Sequence, residues 1–129
     1  KEFELYDIKE SDYLIFSINK RVSDYTSFFC RIIENLIFPN PSSLTGMSES
    51  KFFDEDEKQR LIELNKHMMA LERESLLVHI RKDEKIAVEY VLKMFKEWEK
   101  IRKDMIWVAE KMGKSWKAED SKNKNNYFG

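Results

Sequence analysis

Residues 84–112 read EKIAVEYVLKMFKEWEKIRKDMIWVAEKM, and this stretch decides the fold. Ala87, Val91, Met94, Trp98, Ile101, Met105, Val108 and Met112 follow one another in alternating steps of four and three. That spacing lines up one side of a helix with 3.6 residues per turn, and it fails the period of two that a half-buried strand needs. No proline or glycine interrupts the run, and Gly113 stands where a helix is expected to stop. The spacing predicts a helix over 84–112.

The pattern repeats outward from there. Leu61, Leu64, Met68, Leu71, Ser75 and Val78 step by three and four, predicting a second helix over 55–80. Asp54 and Glu57 have capping-box spacing at its start, and Glu55 and Asp56 suit the positive end of the helix dipole. The charged run 81–85 is read as the turn, with Asp83 capping the helix after it. Further upstream, Ile15, Ile18, Val22, Tyr25, Phe29, Ile32 and Leu36 give the same alternation. They predict a helix over 12–38, capped by Ser11 and ended by Pro39 and Pro41. Residues 39–53, rich in Pro and Ser, form a connection longer than an ordinary helix–helix turn. It either crosses the bundle end or is a functional loop, docked by Phe52 and Phe53.

The expected fold is therefore all-α: an antiparallel helical bundle of three long helices in one domain over 1–113, followed by a polar tail over 114–129. Trp116, Tyr127 and Phe128 are the residues able to tack that tail down. Each helix also carries a second apolar strip, among them Phe16, Cys30 and Ile37, then Ile62, Met69 and Leu76, then Val88, Phe95 and Ala109. Three helices need only one wide apolar face apiece. A fourth neighbour is expected, from the N-terminal segment or from a second chain.

Composition narrows the function classes. Among 129 residues, 23 Lys and Arg balance 24 Asp and Glu, so the net charge is only -1. A whole-protein electrostatic grip on nucleic acid or anionic membrane needs a positive excess, so neither partner is expected. Lysines of the third helix alternate with glutamates, and Trp107, opposite the main seam, is read as an exposed aromatic or subunit contact. With Cys30 as the single cysteine there is no internal disulfide and no cysteine zinc site. No apolar run reaches the roughly 20 residues of a membrane span. The opening Lys1-Glu2-Phe3-Glu4 lacks a signal-peptide profile, so a cytoplasmic location is expected.

Candidate chemistry is sparse. A di-iron bundle needs Glu-x-x-His motifs, but Leu64 and Leu76 occupy the positions three before His67 and His79. Glu63 and His67 share a helix face, yet two ligands make no metal site, and no metal is expected. Arg73 and His79 have the Arg-x5-His spacing that resembles the motif of HEPN-family helical ribonucleases. That resemblance would make His79 the assistant to ribose 2′-hydroxyl attack and Arg73 the phosphate counter-charge. Arg21-Val22-Ser23-Asp24-Tyr25, with Cys30-Arg31 following, is similar to a helix of the cobalamin adenosyltransferases, with Lys20 and Ser27 as departures within the stretch. Those enzymes are helical bundles that move the adenosyl group of ATP onto reduced cobalamin. The resemblance implies ATP as cofactor and Arg21, Ser23, Asp24 and Arg31 as its contacts. From the heptad alone, Asp24 and Arg31 fall on one outer strip, expected to be a solvated face stitched by ion pairs. The first reading of function is a self-associating interaction or structural module, a homo-oligomer working through its spare apolar strip. The alternatives are the adenosyltransferase-like enzyme and the HEPN-like ribonuclease.

Overall fold

A computed structural model describes the backbone of residues 2–128 and the side chains of residues 14–118. It contains four helices and, among the described residues, no strand: α1 (Glu2–Ile37), α2 (Leu44–Lys51), α3 (Glu55–Arg81) and α4 (Glu84–Phe128). The all-helical class follows from the periodicities above.

α3 forms where the sequence places it. Asp54 accepts from the Glu57 backbone N–H at 2.8 Å, and the Glu57 carboxylate accepts from the Asp54 N–H at 3.1 Å. This closed capping box satisfies two donors that the first turn would otherwise leave unpaired. At the other end Lys82 adopts the left-handed conformation, with φ 53° and ψ 33°. Asp83 then caps α4, its Oδ1 accepting from the N–H groups of Lys85 at 2.9 Å and Ile86 at 3.3 Å. The turn is thus confined to Lys82 and Asp83 within the charged run, Arg81 closing α3 and Glu84 opening α4, although no glycine or proline marks it.

The long helices are less well matched than the sequence implies. They hold 36, 27 and 45 residues, or about 54, 40 and 67 Å at 1.5 Å per residue. α1 runs unbroken through Ser11 back to Glu2, so Ser11 is not its start and the N-terminal segment supplies no separate fourth helix. α4 likewise runs through Gly113. A Cβ added there would meet nothing within 4 Å. Glycine costs a helix about 1 kcal/mol, and it ends one only where a left-handed turn follows. Here Ser115 returns a hydrogen bond to the Met112 carbonyl at 2.6 Å and the helix continues. Trp116 is tied down through its Nε1–H, which donates to Glu49 of α2 at 3.3 Å. The side chains of Tyr127 and Phe128 lie outside the described residues.

The connection after α1 is ordered around α2. Asn40 closes a turn onto Ser42, and Ser43 caps α2 by accepting from the Gly46 N–H at 3.1 Å. Buried Ser50 donates to the Leu36 carbonyl at 2.6 Å, satisfying one of the acceptors left open at the end of α1. Phe53, only 2 % exposed, enters the core, as its pairing with Phe52 anticipated.

The core lies along α3. Its buried set, Leu61, Leu64, Met68, Leu71, Ser75 and Val78, is the one the steps predicted. α1 is rotated relative to expectation. Its buried residues are Asn19, Thr26, Cys30, Ile33 and Leu36. All but Leu36 sit one position beyond the predicted seam, so Tyr25 lies 53 % exposed. The reason is hydrogen bonding. Thr26 donates to the Val22 carbonyl at 2.9 Å, and Asn19 accepts from Ser75 at 3.1 Å. Both therefore bury at a cost that hydropathy alone does not anticipate.

Contacts fix how the helices pair. Going up α1, Asn19 meets Ser75 and Ser27 meets Glu72, so numbers on α3 fall. Going up α4, Lys93 meets Glu74, His67 meets Glu97, Asp104 meets Arg60 and Lys111 meets Glu57. Between α1 and α4, Tyr25 and Phe29 both meet Trp98, and Ile32 and Met112 line one pocket further along.

Candidate functional site

α3 covers only one side of the α1–α4 pair, and the opposite side is a groove. Ile18, Val22 and Tyr25 of α1 face Met94, Phe95 and Trp98 of α4 across a space of about 230 Å³. Its floor is aromatic: Phe29 stacks on Trp98 with centroids 5.8 Å apart, and Tyr25 meets the same indole edge-on at 6.3 Å. Arg21 lines the groove among these apolar groups, and among the described residues it makes no ion pair.

The apolar surface continues beyond the groove along both helices. Phe28 is 56 % exposed, Leu92 57 % and Phe95 62 %, with Leu14, Val88 and Ile106 also exposed. On α4 Val88, Leu92, Phe95 and Ile106 fall on one stripe beside the buried seam, interrupted at Glu99 and Arg102. Such a stripe costs free energy in water unless another surface covers it. Other exposed apolar residues, Phe38 and Leu44 beside α2 and Leu77 and Ile80 near the α3–α4 turn, stand close to the bundle ends.

Trp107 does not belong to this surface. Its ring packs edge-on against Phe53 at 5.7 Å, with the Arg60 guanidinium 3.9 Å from its centroid. It is a half-buried anchor for the α2 end of the bundle, which corrects its expected exposure. Arg60 is held in place by Asp104 at 3.1 Å.

The residues singled out for chemistry are dispersed. Arg73 is exposed and His79 half-buried on α3, and neither makes a hydrogen bond or ion pair among the described residues. They stand six positions apart, which sets them about 120° from each other around a helix. Ser23 is half-buried and Asp24 and Arg31 are exposed; of that group only Arg21 lines the groove. No ion pair among the described residues includes Asp24 or Arg31, so the stitched strip is not formed by them. Its neighbour Ser27 instead donates to Glu72 of α3 at 2.6 Å. His67 turns to Glu97 at 2.9 Å, away from a shared site with Glu63, which accepts from Gln59. Among the described residues no cluster of three or more His, Cys, Asp or Glu is placed to hold a metal.

Two buried groups titrate far from neutrality. Burial pushes the Cys30 thiol from 9.0 up to about 11, with the Glu72 and Glu34 carboxylates adding to the effect. At neutral pH it is protonated and a poor nucleophile. Burial likewise raises Tyr90 from 10.0 to about 12, against an opposing hydrogen bond with Ser75 and with help from Glu74 and Glu72. Its hydroxyl donates to the Leu71 carbonyl at 3.0 Å, a structural role. Sequence reasoning found Ser75 but missed Asn19, whose Nδ2 has no hydrogen-bond partner among the described residues. An asparagine in a hydrophobic seam leaves no periodic signal.

The described parts thus define an all-helical protein with one side of its core helices left uncovered. Compared with known proteins, the chain matches no family model, no curated protein and no solved structure. Among the described residues no helix is long and apolar enough to cross a membrane.

Proposed function

We propose that the protein is a self-associating helical interaction module, with α3 antiparallel to α1 and α4 and with a second copy taking the place of the missing fourth neighbour. In this reading it is a cytoplasmic homo-oligomer, and the α1/α4 face is its working surface. The observation that carries it is the concentration of half-exposed aromatic and aliphatic side chains along that face, on two helices at once. Scattered apolar residues are ordinary on protein surfaces, whereas exposed apolar residues aligned on two adjacent helices mark a contact. Both stripes extend over 19 residues, from Leu14 to Ile32 and from Val88 to Ile106, about 27 Å of helix. Two helices side by side make the face about 20 Å wide, a footprint of roughly 540 Å² before side-chain corrugation is counted. A standard interface takes about 800 Å² of accessible surface from each partner, so the face is of the right order.

Light scattering on the purified protein tests the reading: a mass twice that of the chain is expected, falling toward the monomer in Phe95→Glu. A wild-type monomer across the micromolar range overturns it. Thermal-shift measurements with ATP, cobalamin and short RNA address the enzyme readings through Arg21, Ser23, Asp24 and Arg31 or through Arg73 and His79. No stabilisation by these ligands is expected, and a shift with ATP that vanishes in Asp24→Ala would displace the module reading.

A further inference from the structure

The groove between α1 and α4 has dimensions and a charge of its own within the larger apolar face. Its walls come from residues 18–25 and 94–98, so it runs for only about 10 Å of helix. Its volume of about 230 Å³ falls below the ~300–1,000 Å³ of pockets that enclose drug-sized ligands, which limits an occupant to one ring and a short chain. Tyr25, Phe95 and Trp98 make the lining aromatic. The Trp98 indole is fixed by stacking on Phe29 at an interplanar angle of 23° and by the edge-on Tyr25 ring. A wall already immobilised loses little freedom on binding, and aromatic walls favour an aromatic guest through offset and edge-to-face contacts. Among the described residues Arg21 is the one charged member of the lining, and no carboxylate pairs with it, although Asp24 stands three positions further along α1. Two other cavities lack this combination. The one beside the α3–α4 turn holds Glu74, Arg81, Glu89 and Lys93, and Lys93 already pairs with Glu74. The one beside α2 has Glu49 as its charge, which accepts from the Trp116 indole. In the α1/α4 groove the single charge is positive, uncommitted and set among apolar groups.

We propose that this groove binds a small arylalkyl carboxylate, its ring among Tyr25, Phe95 and Trp98 and its carboxylate on the Arg21 guanidinium. Two N–H groups of one guanidinium can donate to both oxygens of a carboxylate, which fixes the orientation of the ligand as well as its charge. With no acidic side chain in the lining, the corresponding amine meets a like charge and finds no partner for its own. Such a ligand fills the space between two helices, whereas a second copy would cover the face along about 27 Å of helix. The site therefore goes beyond the self-association reading and does not depend on it.

The indole N–H signals in a two-dimensional nitrogen–proton NMR spectrum test the site. The chain has three tryptophans. Trp98 lines the groove, whereas Trp107 packs on Phe53 and Trp116 donates to Glu49. Titration with phenylpropionate is expected to shift the Trp98 signal to saturation and to leave the other two in place. Phenylpropylamine at the same concentrations should leave all three in place. In Arg21→Gln the half-saturating concentration of the carboxylate should rise about fivefold. Arg21 is exposed, so this variant is expected to fold, and unchanged helical circular dichroism verifies it. Equal shifts by amine and carboxylate, an unchanged midpoint in Arg21→Gln, or a shift that never saturates overturns the carboxylate site. The same titration is run on Leu92→Gln, which lies outside the groove lining and is expected to weaken association. Saturable binding together with a wild type that is monomeric by light scattering removes self-association and leaves the site standing. A dimeric wild type with no Trp98 shift in either protein removes the site and leaves self-association standing.

Discussion

The α2 end of the bundle and the α1/α4 face are built from similar residues and meet different fates. At the first, Phe53 and Trp107 are packed on each other, Arg60 lies over the indole, and Lys111 pairs with Glu57 while hanging over the Phe52 and Phe53 rings. Along the second, Tyr25, Phe28 and Phe95 keep about half or more of their surface. The difference is the number of elements available. Near the α2 end, α1, α2, α3 and α4 all converge, whereas along the middle of the bundle only α3 is present to cover two longer helices. An apolar residue is internal or external here according to whether a further helix reaches it.

That contrast can be broken at either region. The largest effect is expected from Phe53→Ala: truncating a fully packed aromatic typically costs about 3–5 kcal/mol, read as a lowered midpoint in urea unfolding. If the loss is below about 1 kcal/mol, the α2 end is not part of the cooperative core. A second, intermediate effect concerns pH. Well below pH 9 Cys30 and Tyr90 are neutral in both states, and their preference for burial is fully present. Between 9.0 and about 11 for Cys30, and 10.0 and about 12 for Tyr90, the unfolded chain ionises while the folded one stays protonated. Stability must fall with rising pH through that window. Thermal melts from pH 8 to 11 should show the decline, reduced at its lower end in Cys30→Ala; a flat profile contradicts the burial of both groups. The smallest effect is expected from Leu92→Gln, within about 0.5 kcal/mol of wild type when the monomer is unfolded at high dilution. The same substitution should weaken association measured by sedimentation. A large loss of monomer stability would mean that the face is covered from within the chain.

Much of the architecture was legible because α3 and α4 obey simple rules. The step pattern from Leu61 to Val78 marks a helix surrounded by neighbours, where hydropathy and burial coincide. The Asp54–Glu57 box and the Asp83 cap are local chemistry, readable within four residues of sequence. α1 was legible as a helix but not in its rotation, since Asn19 and Thr26 take inner positions through hydrogen bonds to Ser75 and the Val22 carbonyl. The roles of Trp107 and of Gly113 were misread for related reasons. Trp107 is half-buried because Phe53 returns from a distant connection to pack on it, and Gly113 stays helical because nothing after it favours a left-handed turn. The candidate surface was partly visible: the strip through Val88 and Phe95 was apparent, but Tyr25 was assigned to the core, and Phe28 was not distinguished from the aromatic beside it.

The sequence by itself determined that the chain is helical and where α3 begins and ends, and it displayed a second apolar strip beside each seam. These follow from periodicity and capping, which act between residues a few positions apart. Tertiary structure alone decided which side of α1 faces inward and therefore which apolar residues remain outside. That choice depends on which polar side chains find partners across helices, and such pairing is set by contacts between positions as distant as Asn19 and Ser75.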